Sequence, residues 1–427
     1  SLQGKKRARA DSRNMAGVVV NVAASLLKRG MGKNGKDATI SRDSSAVTLV
    51  DEVLPAKTLD KTDVYTEIDD RDVNTPDKWV PRHPDLIRLT GKHPFNCEPP
   101  LSALVDNGFI TPPSLHYVRN HGAVPMCTWS THSVTVTGCV ATPLTLSMDD
   151  IVALESFTIP VTLVCAGNRR KEENMVKQTI GFNWGAAGHA TNFWTGVRLR
   201  DLLIQAGVDT EKGKHVCFVG DEDLPNGKYG TSIPLPLAMD QYGDVMIAYY
   251  QNGIKLTPDH GYPVRVIIPG WIGGRMVKWL RSIEVTEAPS DNYYHFFDNR
   301  IMPPHVDAEL AKAEGWWYKP EYLFNELNIN SAMSRPGHNE ILSLGRSKTY
   351  TMKGYAYSGG GRKVTRVEVS LDGGKTWRLC DVSYPEEEQS VAPSYGRYWC
   401  WVFWTYTMDS FELLKAATTA GEVAVRA

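Results

Sequence analysis

T-I-P-V-T-L-V-C-A-G-N-R-R, residues Thr158 to Arg170, opens as a strand and closes on a knot of reactive and charged side chains. Ile159, Val161, Thr162, Leu163 and Val164 are apolar or β-branched, the composition of a buried strand. The strand ends at Cys165. Ala166, Gly167 and Asn168 then make a tight turn, in which Gly and Asn tolerate positive φ. Arg169 and Arg170 follow at once. A thiol beside two guanidinium groups is expected to ionise more readily than a free cysteine, and a soft metal takes a thiolate as ligand. The competing reading is a buried core cysteine followed by two surface arginines, since free cysteine is among the most buried residue types.

The flanking sequence supplies the frame for this strand. Ser147-Met-Asp-Asp150 is a capping box before Ile151 and Leu154, so a short helix precedes it. His132 to Val140 alternates Val134 and Val136 against Thr135 and Thr137, a half-buried strand. A second helix is predicted from about Val197 to Ala206, capped by Thr195 and stopped by Gly207. Val264 to Ile268 is another buried strand. After Pro336 the pattern turns to strands: Val367, Val369 and Leu371 alternate with Arg366, Glu368 and Ser370, then Asp372-Gly373-Gly374 turns the chain. Tyr398 to Trp404 reads as an aromatic strand. This is the grammar of an antiparallel β-sandwich.

The 427 residues suffice for two or three domains. A net charge of -1 argues against nucleic-acid binding by bulk charge, so any anion site must be a local arrangement of basic groups. The seven cysteines are scattered, without C-x-x-C, which is neither a disulfide framework nor a zinc pattern and suits a reducing compartment. No apolar run is long enough to span a bilayer; Ala16 to Leu27 follows a basic start but lacks a cleavage site. Residues 1–75 read as a partly disordered extension, basic first and acidic from Asp51 to Asp72.

Three further segments carry charge in patterns that suggest chemistry. In Tyr117-Val-Arg-Asn-His-Gly122, Arg119 and His121 flank Asn120, so two potential cations sit beside an amide, although a surface loop would read the same. Asp259-His-Gly-Tyr-Pro-Val-Arg265 and P-G-W-I-G-G-R-M-V-K-W, Pro269 to Trp279, place His260, Arg265, Arg275 and Lys278 within nineteen residues. Such cations near an apolar strand need an anionic partner, either a phosphate or nearby acids. In Gly181 to Thr191, Trp184 offers an N–H donor and an apolar wall, and His189 is either a proton relay or structural.

C-A-G-N-R-R resembles the molybdenum-ligand segment of the sulfite oxidase family, which includes the eukaryotic assimilatory nitrate reductases, and the other three segments match family motifs in the expected order from about residue 80 onward. The resemblance implies an α+β molybdopterin-binding domain of sulfite oxidase type at 76–290, a connector at 291–335 and an immunoglobulin-like antiparallel β-sandwich dimerisation domain at 336–427, apparently truncated because the chain stops inside a strand. It implies Cys165 as the molybdenum ligand, and Tyr117, Val118, Arg119, Asn120, His121, His260, Arg265, Met276, Val277 and Lys278 as pterin contacts. Asp221, in G-D-E-D, is the candidate acidic contact. Arg119, Arg170 and Trp184 are expected to line the substrate pocket.

The connector, D-N-Y-Y-H-F-F-D-N-R at Asp291 to Arg300 and onward to Ser331, looks like that of eukaryotic nitrate reductases and unlike that of animal sulfite oxidase, and Asn299 is the candidate pocket residue there. A neutral amide can donate to a nitrate oxygen. The implied activity is reduction of nitrate to nitrite in the cytoplasm by a homodimer, with electrons from NAD(P)H through haem and flavin (FAD) domains for which this chain has no room. Sulfite oxidation, a non-enzymatic two-domain binding module and a cysteine-nucleophile hydrolase are the alternatives.

Overall fold

The computed structural model describes residues 59–338, 340–341, 348–393 and 395–427; the basic start of the chain lies outside the described residues. The cysteine strand runs Ser156–Val164 and is the edge of an antiparallel sheet, followed by His189–Arg198, Met246–Gln251 and Ile254–Lys255, with Arg265–Ile267 also paired to Met246–Gln251. Its first half alternates between exposed and half-buried positions, and its second half is buried throughout, as the run of apolar residues requires. A second sheet has the order Leu144–Ser147, Ser133–Gly138, Leu280–Thr286, His215–Gly220, Gly230–Pro234, with one parallel pairing between Ser133–Gly138 and Leu280–Thr286. Val136, Leu163, Phe218 and Ile283, one from each of four strands, share one core between the two sheets.

The capping box forms as read: the Ser147 hydroxyl accepts from Asp150 N–H, Asp150 reaches back, and Met148–Ala153 is helical. The helix after the sheet is shorter than expected. Thr195 stays in its strand, paired with Thr158 and Tyr250, so the helix begins at Leu199 and ends at Gln205, before Gly207 at φ +68°. Ladder pairing outweighs the capping preference of one threonine.

The second domain packs a four-stranded sheet (Asn330–Arg335, Thr349–Tyr357, Val402–Asp409, Asp381–Ser383) and a three-stranded one (Arg378–Leu379, Glu368–Ser370, Ala424–Arg426), all antiparallel. Met352, Val367, Val369, Trp404 and Val425 fill the space between them. Asn330–Arg335 lies in the segment read as connector, before Pro336. The expected strand Tyr398 to Trp404 starts only at Val402, because Trp399 to Trp401 turn aside to meet the cysteine strand. A helix, Ser410–Thr419, capped by Asp409, interrupts the strands.

Residues 59–75 pack onto the first domain. Asp63 accepts hydrogen bonds from Ser114 through both its backbone oxygen and its carboxylate. Asp72 is fully buried, 3.3 Å from Arg82 and 2.7 Å from Arg88. Asp69 and Asp72 of this stretch are thus partners for the buried guanidinium groups of Arg82 and Arg88. Among the described residues no helix is long and apolar enough to cross a membrane.

Asp72→Ala removes one carboxylate from each of two buried guanidinium groups, leaving Arg82 with Asp77 and Asp259 and Arg88 with Asp69 at 3.4 Å, so it should lower unfolding stability by about 1–3 kcal/mol. Urea denaturation checks this, and a loss below about 0.5 kcal/mol, the surface-substitution range, would mean that the pairing contributes little.

Candidate active site

Cys165 sits at the strand end, buried, its Sγ accepting from Gly167 N–H at 3.4 Å. The turn closes with Asn168 N–H to Cys165 O at 2.9 Å and Arg170 N–H to Gly167 O at 2.8 Å. The left-handed residue is neither Gly167 nor Asn168 but Arg169, at φ +67°. Its guanidinium reaches into the second domain, donating to Asn330 and to Ser331 O, and pairs with Glu172. These contacts hold a conformation that costs a non-glycine residue free energy.

Arg170 has a different environment. Its guanidinium makes no ion pair or hydrogen bond among the described residues, and its charge acts on Cys165. Gly167 makes the crowding possible: a Cβ there would fall 2.7 Å from Arg170 Nη1 and 2.6 Å from Trp184 Cδ1. Burial pushes the Cys165 thiol up, while Gly167 N–H, Arg170 and Arg119 pull the other way. The expected easy ionisation is therefore not a property of the protein alone, because desolvation wins; a coordinated metal would supply the missing stabilisation of the thiolate.

Trp184 is fully buried, edge-on to Tyr117 at 5.9 Å and against Phe182 at 5.7 Å, and its Nε1 has no partner among the described residues. Its loop is ordered by Glu98, which accepts from Gly185 and Ala187 N–H. His189 packs tilted against Tyr355 at 4.2 Å and edge-on to Trp401 at 4.9 Å, and burial pushes its pKa down to about 3. Burial thus favours the neutral ring, which packs between the domains.

The R-N-H segment lies beside this pocket. Arg119 donates to Asn120 O at 2.6 Å, lies over the Phe182 ring and has no acidic partner within ion-pair distance among the described residues. Asn120 donates to Asp259 at 2.8 Å and accepts from Lys278. His121 pairs with Asp298 at 2.6 Å, which ties the motif to the connector. Tyr117 points its hydroxyl at Gly273, where a Cβ would meet it at 2.7 Å. Val118 does not contribute a side chain to the site; it packs with Leu86, Phe95 and Cys97 in a small separate core.

Gly261, at φ +103°, draws the basic groups together: a Cβ there would lie 3.1 Å from Lys278 Cβ and 3.2 Å from Arg265 Cβ. Arg265 donates to His260 O and Met276 O, has no carboxylate partner among the described residues, and is pushed down to about 10 by burial. His260 accepts or donates at Nδ1 with Thr257, and its Nε2 faces no partner. Lys278 contacts Asp259 O at 2.8 Å, and burial lowers its pKa against the opposing charge of Glu222. Met276 and Val277 are buried, with backbone carbonyls that accept from Arg265 and Val266. Arg275 needs no outside anion, because Asn325, Thr231 and Phe324 O already accept from it.

Asp221 lies outside this cluster, held by Arg281 at 2.9 Å and Lys228 at 3.2 Å. Its neighbour Glu222 is the buried acid, interacting with Lys278 and Arg119. Three consecutive acids in G-D-E-D give no hint of which one turns inward; the exit from the His215–Gly220 strand settles it. Cys127, His132 and Asp221 bring one donor atom each within 4.8 Å, but Arg281 and Lys228 already neutralise the carboxylate. Asn299, at φ +56°, rests on Gly274, where a Cβ would fall 2.5 Å from its Nδ2. The sequence reading also missed Glu98, Asp298 and His116, the last lying 4.4 Å from His260 with an unpaired Nε2.

His116 Nε2, His260 Nε2, Arg265 Nε and Trp184 Nε1 are buried polar atoms without partners among the described residues. Together with unpaired Arg119 and Arg170 they fit a polyanionic ligand, and Cys165 supplies a soft donor beside them.

Comparison with known proteins agrees. Residues 121–294 match the oxidoreductase molybdopterin binding domain and residues 321–427 the Mo-co oxidoreductase dimerisation domain. The chain is 60% identical to a nitrate reductase [NADH] of Hordeum vulgare over 368 residues, which is 84% of this chain and 40% of that protein. It is 58% identical to the nitrate reductase [NADH] of Volvox carteri over 355 residues, 82% of this chain and 41% of that protein. It thus spans about 40% of the length of the curated relatives it matches. The sulfane dehydrogenase SoxCD of Paracoccus pantotrophus shares the fold at a TM-score of 0.58 and 22% identity, over 86% of this chain and 82% of that one.

Inorganic phosphate should raise the Tm of cofactor-free protein by about 2–4 °C, and Arg265→Met should remove that increment. The same rise with chloride at matched ionic strength would mean there is no specific anion site.

Proposed function

Given that the chain belongs to the molybdopterin-binding oxidoreductases of the sulfite oxidase family, we propose that it reduces nitrate to nitrite at a Cys165-ligated molybdenum centre. The observation that carries this reading is Arg170: an unpaired guanidinium acting on a buried thiol, with Arg119 as a second cation free of acidic partners. A small monovalent anion needs such charge, held in place before it arrives.

His260, Arg265, Lys278 and Asn120 hold the pterin and its phosphate, with the backbone of Met276 and Val277 completing the cradle. Glu222 balances the charge of Lys278. When bound, the molybdenum centre supplies the acceptor for one oxygen atom and the two electrons of the reduction. Arg119 and Arg170 neutralise and orient nitrate. Trp184, buried against Tyr117 and Phe182, excludes water from one side. Asn299 is the amide that donates to a nitrate oxygen. The overall reaction consumes two protons and two electrons per nitrate and yields nitrite and water.

The electrons come from NAD(P)H through flavin and haem domains of the same enzyme, which works as a homodimer in cytoplasmic nitrate assimilation. The names of the relatives support a reduced nicotinamide as the electron source, and the dimerisation-domain match supports the homodimer.

Nitrate reduction with a reduced viologen dye, on protein assayed for molybdenum, tests the reading directly, because the dye bypasses the flavin and haem domains. Nitrate turnover with metal bound is expected; sulfite oxidation without nitrate turnover would overturn the substrate and keep the cofactor. Cys165→Ser should abolish turnover with the fold retained by circular dichroism, and full activity in that variant would sink the ligand assignment. Arg170→Ala should lower kcat/KM for nitrate about 10- to 100-fold, the loss of one charge-assisted contact, at unchanged molybdenum content. Unchanged kinetics would remove Arg170 from the pocket.

A further inference from the structure

We propose that Tyr355 and Tyr357 of the second domain are positioning residues that fix the shape of the Cys165 loop, an inference that rests on Cys165 being the metal ligand. The two rings stack nearly parallel, 6.0 Å apart and 8° from coplanar, and both are buried. Their hydroxyl oxygens converge on one atom: Asn168 Nδ2 donates to Tyr355 at 3.3 Å and to Tyr357 at 3.2 Å. Asn168 lies three residues after the cysteine, and its backbone N–H closes the turn onto Cys165 O.

The same amide works in the other direction. Asn168 Oδ1 accepts from Gly188 N–H at 3.0 Å, and the Tyr355 hydroxyl donates to Ala186 O at 2.7 Å. Ala186 and Gly188 belong to the loop that carries Trp184. Two phenols of the second domain thus hold both the ligand loop and the pocket-wall loop through a single asparagine. Cys165 N–H donates to Gly188 O at 2.9 Å, so the two loops are already joined at the cysteine itself.

Stacked rings at a domain boundary would pack as well with phenylalanine, and a buried hydroxyl is costly unless bonded. The hydroxyls here are placed on the loops and not on solvent. Burial pushes the Tyr357 phenol up to about 12 and raises that of Tyr355 as well, so both stay neutral hydrogen-bonding groups. The loop needs external support, because Arg169 is held in the left-handed region and a metal ligand must be fixed closely to be effective.

The test is the double variant Tyr355→Phe/Tyr357→Phe, which keeps both rings against His189 and Trp401. Cofactor-free protein is alkylated with iodoacetamide and each cysteine is followed by peptide mapping. Cys400, buried at the same boundary and bonded to Pro160 O, is the internal reference for general loosening. The Cys165 rate should rise at least about tenfold relative to Cys400, the effect of three lost buried hydrogen bonds. In the molybdenum-loaded enzyme the electron paramagnetic resonance spectrum should shift, with kcat falling more than KM changes. Equal acceleration at both cysteines, or none at Cys165, overturns the proposal. Tyr357→Phe alone gives the same comparison if the double variant does not fold. Wild-type protein that holds no molybdenum would defeat the functional reading, while the alkylation ratio would still decide the role of the tyrosines.

Discussion

The edge of the cysteine strand is closed by the other domain. Thr162 donates its N–H to Trp399 O at 2.9 Å, Trp401 N–H donates to the Thr162 hydroxyl at 2.9 Å, and the Cys400 thiol donates to Pro160 O. An open edge would leave backbone groups unsatisfied within a buried region and invite pairing with another chain. Glu386 in turn accepts from Trp399 and Cys400 N–H, so the sealing segment is itself held from behind. Cys165 therefore directly follows a strand whose position depends on contacts from residues more than 200 positions later. Side chains along the boundary belong to the core of the first domain: Tyr355, Tyr357, Trp399 and Trp401 group with Val161 and Leu163.

A second constraint is electrostatic. The first domain holds several buried or half-buried guanidinium groups and treats them in three ways. Arg82 is matched by carboxylates, with Asp72, Asp77 and Asp259 around it. Arg275 is matched by neutral acceptors from Thr231, Asn325 and Phe324. Arg265, Arg119 and Arg170 are left short of an anion, and these three line the proposed cofactor and substrate positions. A buried charge without a partner costs free energy that a stable fold normally avoids. The economical account is that the partner is a ligand, which then gains affinity from charge already desolvated and oriented.

Much of this was legible in the sequence where the signal is local. The cysteine strand shows in its run of β-branched residues, the capping box at Ser147 in four consecutive letters, and the helix stop at Gly207 in one glycine. Features set by distant pairing were not. His121 meets Asp298 across 177 positions, and no pattern near either residue announces it. Asp221 and Glu222 differ only in which side of a chain exit each faces. Thr195 looked like a helix cap because its hydroxyl suits one, but its strand pairs on both sides and keeps it.

Arg169 and Arg170 show why adjacency misled the reading of C-A-G-N-R-R. In a regular strand or helix two neighbouring arginines would share one environment or alternate simply between faces. The left-handed step at Arg169 instead reverses the chain between them. It sends one guanidinium into the second domain, to Asn330 and Ser331, and onto Glu172, and leaves the other acting on the thiol with no hydrogen bond or ion pair among the described residues. The strain of that step is supported by the contacts Arg169 makes, so the first arginine is what allows the second to remain free. A change at Asn330, in the second domain, would thus act on the Arg170 guanidinium through backbone geometry and without touching it.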